Sequence, residues 1–399
     1  MVMADQIKEP EMSLKTWMAL VGLTLSAFIF NTSEFIPIAL LTDIGRDFGL
    51  AEAKAGMLIS VYAWVVMILS MPLMLMTSKM EMRKLLLGVV AVFTSFQVMS
   101  YLSTSFGMLM FSRIGVACAH SIFWSIVSII AVKIVPDSHR ALALSMIVTG
   151  TSVAMILGLP LGRVIGLSLG WRLTFLSIGA VSLFVFLCLF ALLPKVPSGG
   201  GMTAHDLPAM LKNKVLIGIF ITTAAFATGY YTAYSYIEPF LQQVGRMSEN
   251  GITMTLMIFG GAGIIGSMLF SKYYPKIRFR FINISMIGLI VGVLLLLPVS
   301  FSVPVTIAVC ALWGMSATAF NVAMQSEIIT DTPQSQTSVA MSIFSGIFNF
   351  GIGTGALIGG MVCTHLSISF IGIAGGLIVL LALLYWQLIV VKRSLRKAQ

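Results

Sequence analysis

The chain has 399 residues, of which 58% are hydrophobic and only 10% are charged. Soluble domains carry roughly 45–50% apolar and about 25% charged residues, so this composition is that of a membrane protein. It excludes a soluble enzyme, a nucleic-acid-binding protein and a secreted disulfide scaffold.

Long apolar runs predict an all-α membrane protein with twelve spans. At about 20 residues per span and about 10 per connection, twelve spans need about 370 residues, which leaves no room for a soluble domain. No alternation of polar and apolar residues indicates a β-barrel. The first run is too long for a cleaved signal peptide, so we expect it to be retained. The predicted spans are 17–41, 55–77, 84–103, 107–133, 140–167, 172–193, 214–242, 250–271, 280–298, 303–327, 336–363 and 367–391.

The longest polar stretch divides the spans into two groups of six. It predicts an N-terminal six-helix bundle over 1–193, a cytoplasmic linker over 194–213 and a C-terminal six-helix bundle over 214–399. A shift of 197 residues superposes two glycines of span 5 on two of span 11, which is weak evidence for an internal repeat. Two parallel repeats with a substrate site between them are a transporter plan.

The distribution of Lys and Arg predicts the orientation. With the N-terminus inside, 18 of them fall in inner segments and 5, including Arg163, in outer segments. This excess predicts that both termini are cytoplasmic, and it explains the net charge of +10 without a nucleic-acid partner. The four cysteines lie inside apolar runs, where we expect packing and not disulfides.

Glu34 in span 1 is the strongest candidate for a functional group. A carboxylate about seven residues inside a span costs several kcal/mol unless it is paired or protonated. Arg113 in span 4 lies at a similar depth, so its movement would switch Glu34 between proton-holding and proton-releasing states. The alternatives are an interfacial glutamate, if the span ends earlier, and a static ion pair that joins two helices.

His120 and Trp124 follow Arg113 at helical spacing, so the three share one face of span 4. We expect this face to line a cavity. A histidine buried only for packing is the alternative, and a direct proton-carrying role for His120 is the less favoured function.

Span 7 carries Tyr231, Tyr234 and Glu238 on one face. Tyrosines stack on and hydrogen-bond to sugars or amphipathic ligands, which predicts lining residues and a site or gate carboxylate. An aromatic belt at the membrane interface is the competing explanation, above all for Tyr236.

Three amides at membrane depth are further candidates: Asn321, Gln325 and Asn349 either contact substrate hydroxyls or join helices. In span 5, Gly150, Gly158, Pro160 and Gly162 predict close helix packing, a bend near a gate, or both.

Several motifs resemble the major facilitator superfamily, in its twelve-span drug:proton antiporter branch. Residues 109–115 are similar to its span-four motif, and 158–162 to its antiporter motif of span five. Residues 35–44 resemble its span-one motif, and 170–175 the sequence before span six. The loop at 77–84 departs from the family because it lacks the usual Asp, although Glu81 is a possible substitute.

Longer stretches resemble bacterial sugar efflux transporters of the SotB type. These stretches are 27–32, 62–66, 113–117 with 119–120, 122–125, 231–240 and 344–349. The resemblance implies proton-driven export of arabinose-like sugars and thiogalactosides by a monomer in the bacterial inner membrane, with spans 1, 4, 7 and 10 around the cavity. Asn31 and Tyr62 join the predicted substrate-binding residues, and the polar groups Asn31, His120, Asn321 and Asn349 favour a polar ligand.

We expect the proton to be the coupling ion and no metal or cofactor. Two alternatives keep the same fold, namely a multidrug:proton antiporter, which would have an aromatic and apolar cavity, and a passive facilitator, which would show no pH dependence. A membrane enzyme or receptor is not supported, because no nucleophile–base pair, metal cluster or soluble output domain is visible.

Overall fold

The structure, a computed structural model, describes residues 12–77, 79–198, 212–332 and 337–394. Within these ranges it is helical throughout, without strands. Eleven helices in the described ranges are long and apolar enough to cross a membrane. One of them, Glu249–Leu295, has 47 residues, about twice what a bilayer requires, and it holds two of the predicted spans. The predicted all-α membrane fold is confirmed.

The spans keep their predicted numbers, and we name the two sides of the molecule inner and outer after the predicted orientation. Spans 1 to 6 are Leu14–Ala39, Met57–Thr77, Met82–Tyr101, Phe106–Lys133, the segments Arg140–Val153, Ala154–Gly158 and Leu159–Leu169 together, and Trp171–Leu192. Spans 7 to 12 are Lys214–Tyr234, the two parts of Glu249–Leu295, Val303–Asp331, Thr337–His365, and Ile371–Tyr385 with Trp386–Val391. Short helices at Leu41–Asp47, Glu52–Ala55 and Ile237–Gln243 lie on the outer side.

Spans 8 and 9 form one kinked helix, whereas the sequence predicted two helices separated by a loop. The backbone leaves the helical region at Ile277, two residues after Pro275, which cannot donate a helical hydrogen bond. Arg278 donates to both carboxylate oxygens of Glu327 in span 10, each at 2.6 Å, and the Tyr274 hydroxyl donates to the same carboxylate at 2.7 Å. The kink is therefore fixed to span 10 by a charged, bidentate contact.

Buried apolar side chains form two clusters. One lies within residues 19–196 and the other mostly within 215–390. The second cluster also includes Phe35, Ile38 and Leu159, so the outer parts of spans 1 and 5 pack on the C-terminal half of the chain. The predicted domain boundaries stay a prediction, since most of the predicted linker lies outside the described residues.

The glycines of span 5 face span 1. A Cβ atom added at Gly158 or Gly162 would come within 3.0 Å of side-chain atoms of Thr32 or Ile36, and one at Gly150 would meet the carbonyl oxygen of Thr24. Small residues thus let the two helices approach closely, as the packing interpretation of this motif predicts. Just before Pro160, residues Ala154–Gly158 form a π-helical turn, which is a common site of helix distortion.

The corresponding glycines of span 11 make the same kind of contact with span 7. A Cβ atom at Gly355 would collide with the Thr228 backbone, and one at Gly359 with the carbonyl oxygen of Thr232. Span 5 therefore packs on span 1 in the same way as span 11 packs on span 7. The glycines at the two contacts are those that the 197-residue shift superposes.

Gly150→Ala should lower the free energy of unfolding by about 1–3 kcal/mol, because the new methyl group meets backbone that moves only with the whole of span 1. Gly162→Ala should cost less, since its methyl group meets the flexible end of the Ile36 side chain. Gly88→Ala is the matched control, with nothing within 4 Å of the added atom. Thermal unfolding in detergent measures the three, and equal midpoints for Gly150→Ala and Gly88→Ala would contradict the packing.

Candidate functional site

The centre of the N-terminal half contains a carboxylate beside an imidazole. Oε2 of Glu34 lies 3.6 Å from Nε2 of His120, and the two side chains are only 9% and 3% exposed. The rings of Tyr62 and Trp124 stand edge-on to His120, with centroids 5.6 and 5.9 Å from it. The structure thus brings together the candidates that the sequence had placed on three separate spans.

Two polar atoms of this cluster, and one of Asn31, three residues before Glu34 in span 1, lack a hydrogen-bond partner in the described part of the chain. They are Oδ1 of Asn31, the Tyr62 hydroxyl and Nδ1 of His120. An unsatisfied polar group in an apolar interior costs about 1–3 kcal/mol, so native proteins rarely keep one without a use. These atoms offer a polar ligand both donors and acceptors next to Glu34.

Arg113 is fully buried but makes no ion pair with Glu34 among the described contacts. Its guanidinium donates to the hydroxyl of Ser33 at 3.0 Å and to the Ser33 carbonyl at 2.7 Å. It lies over the Tyr62 ring, 4.6 Å from the centroid. The static ion pair considered from the sequence therefore does not form, while the coupling roles of both residues stay predictions.

The tyrosines of span 7 occupy two different environments. Tyr231 stacks on Phe35 of span 1, with ring centroids 6.2 Å apart, and so lies at the contact between the two halves near Glu34. Tyr234 stacks on Phe259 and stands edge-on to Trp313, inside the C-terminal core. Its surroundings favour packing, and its substrate-binding role stays a prediction.

Tyr236 is not part of an aromatic belt, contrary to the competing explanation for this segment. It is completely buried, and its hydroxyl donates to the carbonyl of Ala356 at 3.1 Å. The ring lies against Gly56 of the N-terminal half and Gly359 and Gly360 of span 11, where no larger residue fits. Tyr236 is therefore buried at a contact between the two halves, on the outer side.

The three amides bond within their own helices. Gln325 donates to Oδ1 of Asn321 at 2.5 Å, and Asn349 donates to the carbonyl of Ser345 at 3.0 Å. These bonds do not join neighbouring helices. Oδ1 of Asn349 has no hydrogen-bond partner among the described residues. Contact with a substrate stays a prediction for all three.

Arg163 is a candidate functional residue that the sequence did not reveal. It had been counted with the outer loops, yet its side chain is fully buried in span 5. It forms ion pairs with Glu238, at 3.1 Å, and with Glu249, and it donates to the carbonyl oxygen of Ala39 at the end of span 1. The available signal was a charge directly after the glycine motif and inside a predicted span.

Glu238 is held in this outer ion pair and not in the central cluster. Its carboxylate also accepts hydrogen bonds from the backbone N–H of Thr42, at 3.2 Å, and from the Thr42 hydroxyl, at 2.7 Å. Because Arg163 and Thr42 belong to the N-terminal half and Glu238 and Glu249 to the C-terminal half, we call these four residues the outer lock. The sequence suggested that Glu238 is either a gate residue or a substrate-binding residue. Contacts that join the two halves are those expected of a gate residue, and substrate binding by Glu238 stays a prediction.

Cavities lie between the two halves on both sides. The outer one, of about 240 Å³, lies near the outer ends of spans 2 and 11, and the inner one is larger. The inner cavity, of about 320 Å³, lies near the inner ends of spans 2, 4 and 11. It is lined by Met67, Ser70, Met71, Met74, Ser125, Ser342, Ile343, Gly346, Ile347 and Phe350.

Glu81 serves the inner end of span 3. Its carboxylate accepts from the backbone N–H groups of Arg83, at 3.1 Å, and Val196, at 2.9 Å. Slight burial raises the pKa of Glu81, but these backbone hydrogen bonds outweigh it and hold the pKa below its usual value. Glu81 thus caps a helix and ties the chain after span 6 to it; its role as a substitute for the usual Asp of this loop stays a prediction.

The described residues contain no group of three or more His, Cys, Asp or Glu that could hold a metal ion.

Removing one partner of the outer lock should be costly. Arg163→Ala should lower the free energy of unfolding by about 3–5 kcal/mol, because the buried carboxylate of Glu238 loses its cation. Glu238→Ala should cost less than Arg163→Ala, because Arg163 keeps Glu249 as a partner. The double variant Arg163→Met/Glu238→Met should regain most of that loss. Unfolding in mixed detergent micelles measures each change.

The exposed outer pair between Arg172 and Asp47, with its atoms 2.7 Å apart, is the matched control. Asp47→Ala should cost about 0–1 kcal/mol, since solvent screens this pair. If Glu238→Ala were no more harmful than Asp47→Ala, the outer lock would not hold the two halves.

Comparisons with known proteins agree with this architecture. The family model described as Major Facilitator Superfamily matches residues 23–340. A bacterial homologue of the human lysosomal transporter Spinster, solved inward-facing and unoccupied, is similar, with a TM-score of 0.80 and 16% identity over 94% of this chain and 97% of that one. Its inward-facing, occupied form has a TM-score of 0.76 and 17% identity over 95% of this chain and 97% of that one.

The human organic anion transporter MFSD10 (TETRAN) is a third similar structure, with a TM-score of 0.66 and 13% identity over 94% of this chain and all of that one. At such identities the likenesses show the fold alone, whereas the family model spans most of the sequence. The chain is therefore a multi-pass membrane transporter, not an enzyme, and belongs to the major facilitator superfamily.

Proposed function

We propose that the chain exports a polar, hydroxylated substrate in exchange for protons across the bacterial inner membrane. Arabinose-like sugars and thiogalactosides are the proposed substrate class, and the proposed form is a monomer with cytoplasmic termini and no cofactor. The observation that carries the proposal is the buried Glu34 carboxylate, which lies beside His120 and makes no ion pair with an Arg or Lys among the described contacts.

A carboxylate in this position is suited to hold and release a proton. A buried acid without a fixed cationic partner is stabilised by a proton when its surroundings are apolar and by charge when water or a donor reaches it. His120 offers such a donor when it is protonated, at 3.6 Å from Glu34. Opening of the site to one side or the other therefore changes which form of Glu34 is favoured.

The cycle we propose follows alternating access. With the outer lock open, Glu34 takes a proton from outside and the substrate leaves. With the inner side open, Glu34 releases the proton to the cytoplasm and new substrate binds beside Asn31, Tyr62 and His120. One charge moved inward across 100 mV contributes about 2.3 kcal/mol, enough to drive a substantial gradient of a neutral sugar.

The two sides of the molecule support this cycle. On the outer side Arg163, Thr42, Glu238 and Glu249 join the two halves, while the inner side has the larger cavity between them. The opposite state requires the outer ion pairs to separate, which becomes possible when water enters and hydrates the charges.

Glu34→Gln should abolish uphill export in liposomes with an imposed pH gradient, because the amide cannot release a proton. Exchange of labelled sugar for unlabelled sugar at equal pH should persist, since it needs no net proton movement. Labelled arabinose or a thiogalactoside serves as the probe, and Asp47→Asn, at an exposed outer carboxylate, is the control. Uphill export by Glu34→Gln at the wild-type rate would contradict the proposal.

A multidrug antiporter is the second candidate, and the inner cavity is the observation that favours it. Six of its ten lining residues are Met, Ile or Phe. Methionine-rich surfaces adapt to apolar ligands of different shapes. The central cluster favours polar ligands and the inner cavity favours amphipathic ones.

A hydrophobic cationic dye separates these candidates in the same liposomes. If the chain is a sugar exporter, sugar moves uphill and the dye does not. If the dye alone moves, and Met71→Ala slows it by more than about threefold through lost contact area, the multidrug function replaces the sugar function. Sugar transport without any dependence on pH would indicate a passive facilitator.

A further inference from the structure

The backbone hydrogen bonding of span 1 is interrupted by a proline, three residues after Glu34. Pro37 lies inside the helix Leu14–Ala39. A proline has no backbone N–H, so the carbonyl oxygen four residues earlier loses its helical donor. That oxygen belongs to Ser33, which is completely buried. In an apolar interior an unpaired carbonyl is unfavourable, and another donor must replace the missing one.

Arg113 supplies that donor from span 4. Its Nη2 atom donates to the Ser33 carbonyl at 2.7 Å, and its Nη1 atom donates to the Ser33 hydroxyl at 3.0 Å. The side-chain amide of Gln97 also donates to this hydroxyl, at 2.5 Å. The guanidinium is enclosed by the rings of Tyr62 and Phe175, 4.6 and 5.6 Å from their centroids. Both terminal nitrogens of the Arg113 guanidinium therefore donate hydrogen bonds to a single residue of span 1, Ser33.

The Ser33 carbonyl and the Glu34 amide belong to the same peptide plane. Fixing this carbonyl therefore restricts the orientation of the backbone from which the Glu34 side chain leaves the helix. We propose that Arg113 is a positioning residue, which replaces the hydrogen bond that Pro37 removes and thereby holds the Glu34 carboxylate against His120. The importance of Glu34 for transport rests on the proposed function; the contact between Arg113 and the Pro37 interruption does not.

This role differs from the switch predicted from the sequence. A switch requires Arg113 to approach and leave the Glu34 carboxylate, and its charge is then indispensable. A positioning role requires a hydrogen-bond donor at the Ser33 carbonyl, and any other donor there makes Arg113 less necessary. Pro37→Ala provides that donor, because alanine restores the backbone N–H within the helix.

The test is a double-mutant cycle of Pro37→Ala and Arg113→Ala. Arg113→Ala alone should lower the midpoint of thermal unfolding, because the Ser33 carbonyl is left unpaired. In Pro37→Ala/Arg113→Ala the loss caused by removing the arginine should be roughly halved. Additive midpoints would overturn the proposal.

Pro72 in span 2 provides the matched control. It also lies inside a helix, and the carbonyl that it frees belongs to Ile68, whose side chain is exposed. Pro72→Ala should not reduce the effect of Arg113→Ala. An equal rescue by Pro72→Ala would show a general effect of removing a proline and would also overturn the proposal. If Arg113→Ala gives no folded protein, Arg113→Met, which fills more of the space but has no N–H donor, takes its place in the cycle.

Transport provides a readout that stability alone does not move. Proton-driven uphill export should fall at least about tenfold in Arg113→Ala and return to within about threefold of the Pro37→Ala value in the double variant. Recovery of the unfolding midpoint without recovery of export would show that the charge of Arg113 is needed, and would favour the switch. If the wild-type protein shows no proton-driven export, the proposed function fails, while the unfolding cycle still decides the role of Arg113.

Discussion

A helix inside a membrane must satisfy its backbone hydrogen bonds without water, and span 1 breaks this rule twice. Pro37 leaves the Ser33 carbonyl without its helical donor, and the end of the helix leaves the carbonyl of Ala39 free. Two buried arginines, Arg113 and Arg163, complete the bonding. Both belong to other spans of the same half. The geometry of span 1 around Glu34 therefore depends on side chains of spans 4 and 5, and the helix propensity of span 1 alone does not determine it.

Two groups of buried charges in the described residues differ in their partners. In the outer lock, Arg163 contacts two carboxylates, so its positive charge is compensated and the two halves are joined. At the centre, Glu34 lies beside a histidine and an arginine that is occupied elsewhere. A compensated charge stabilises one conformation, whereas a weakly compensated one responds to water, protons and ligand. This difference is what a transporter needs at its gate and at its coupling site.

Hydropathy was sufficient to predict twelve spans, since the membrane imposes one length on every helix, and it also placed Glu34, His120 and Tyr62 at membrane depth. It failed where the position of a residue depends on contacts with residues that are distant in the sequence. Arg163 was assigned to an outer loop, because the sequence does not show that Glu238 and Glu249 lie across from it. Tyr236 resembled a belt residue until the glycines against its ring were seen. The kink at Ile277 was predicted as a loop because basic residues surround it.

The central claim is that Glu34 exchanges a proton for substrate, and proton release on substrate binding tests it most directly. Purified protein in weakly buffered detergent solution receives arabinose or a thiogalactoside while a pH indicator is followed. We expect the wild-type protein to release protons when substrate is added, in an amount that rises and saturates together with sugar binding. Glu34→Gln should release none. Equal release by the two proteins, with sugar binding retained in both, would contradict this claim.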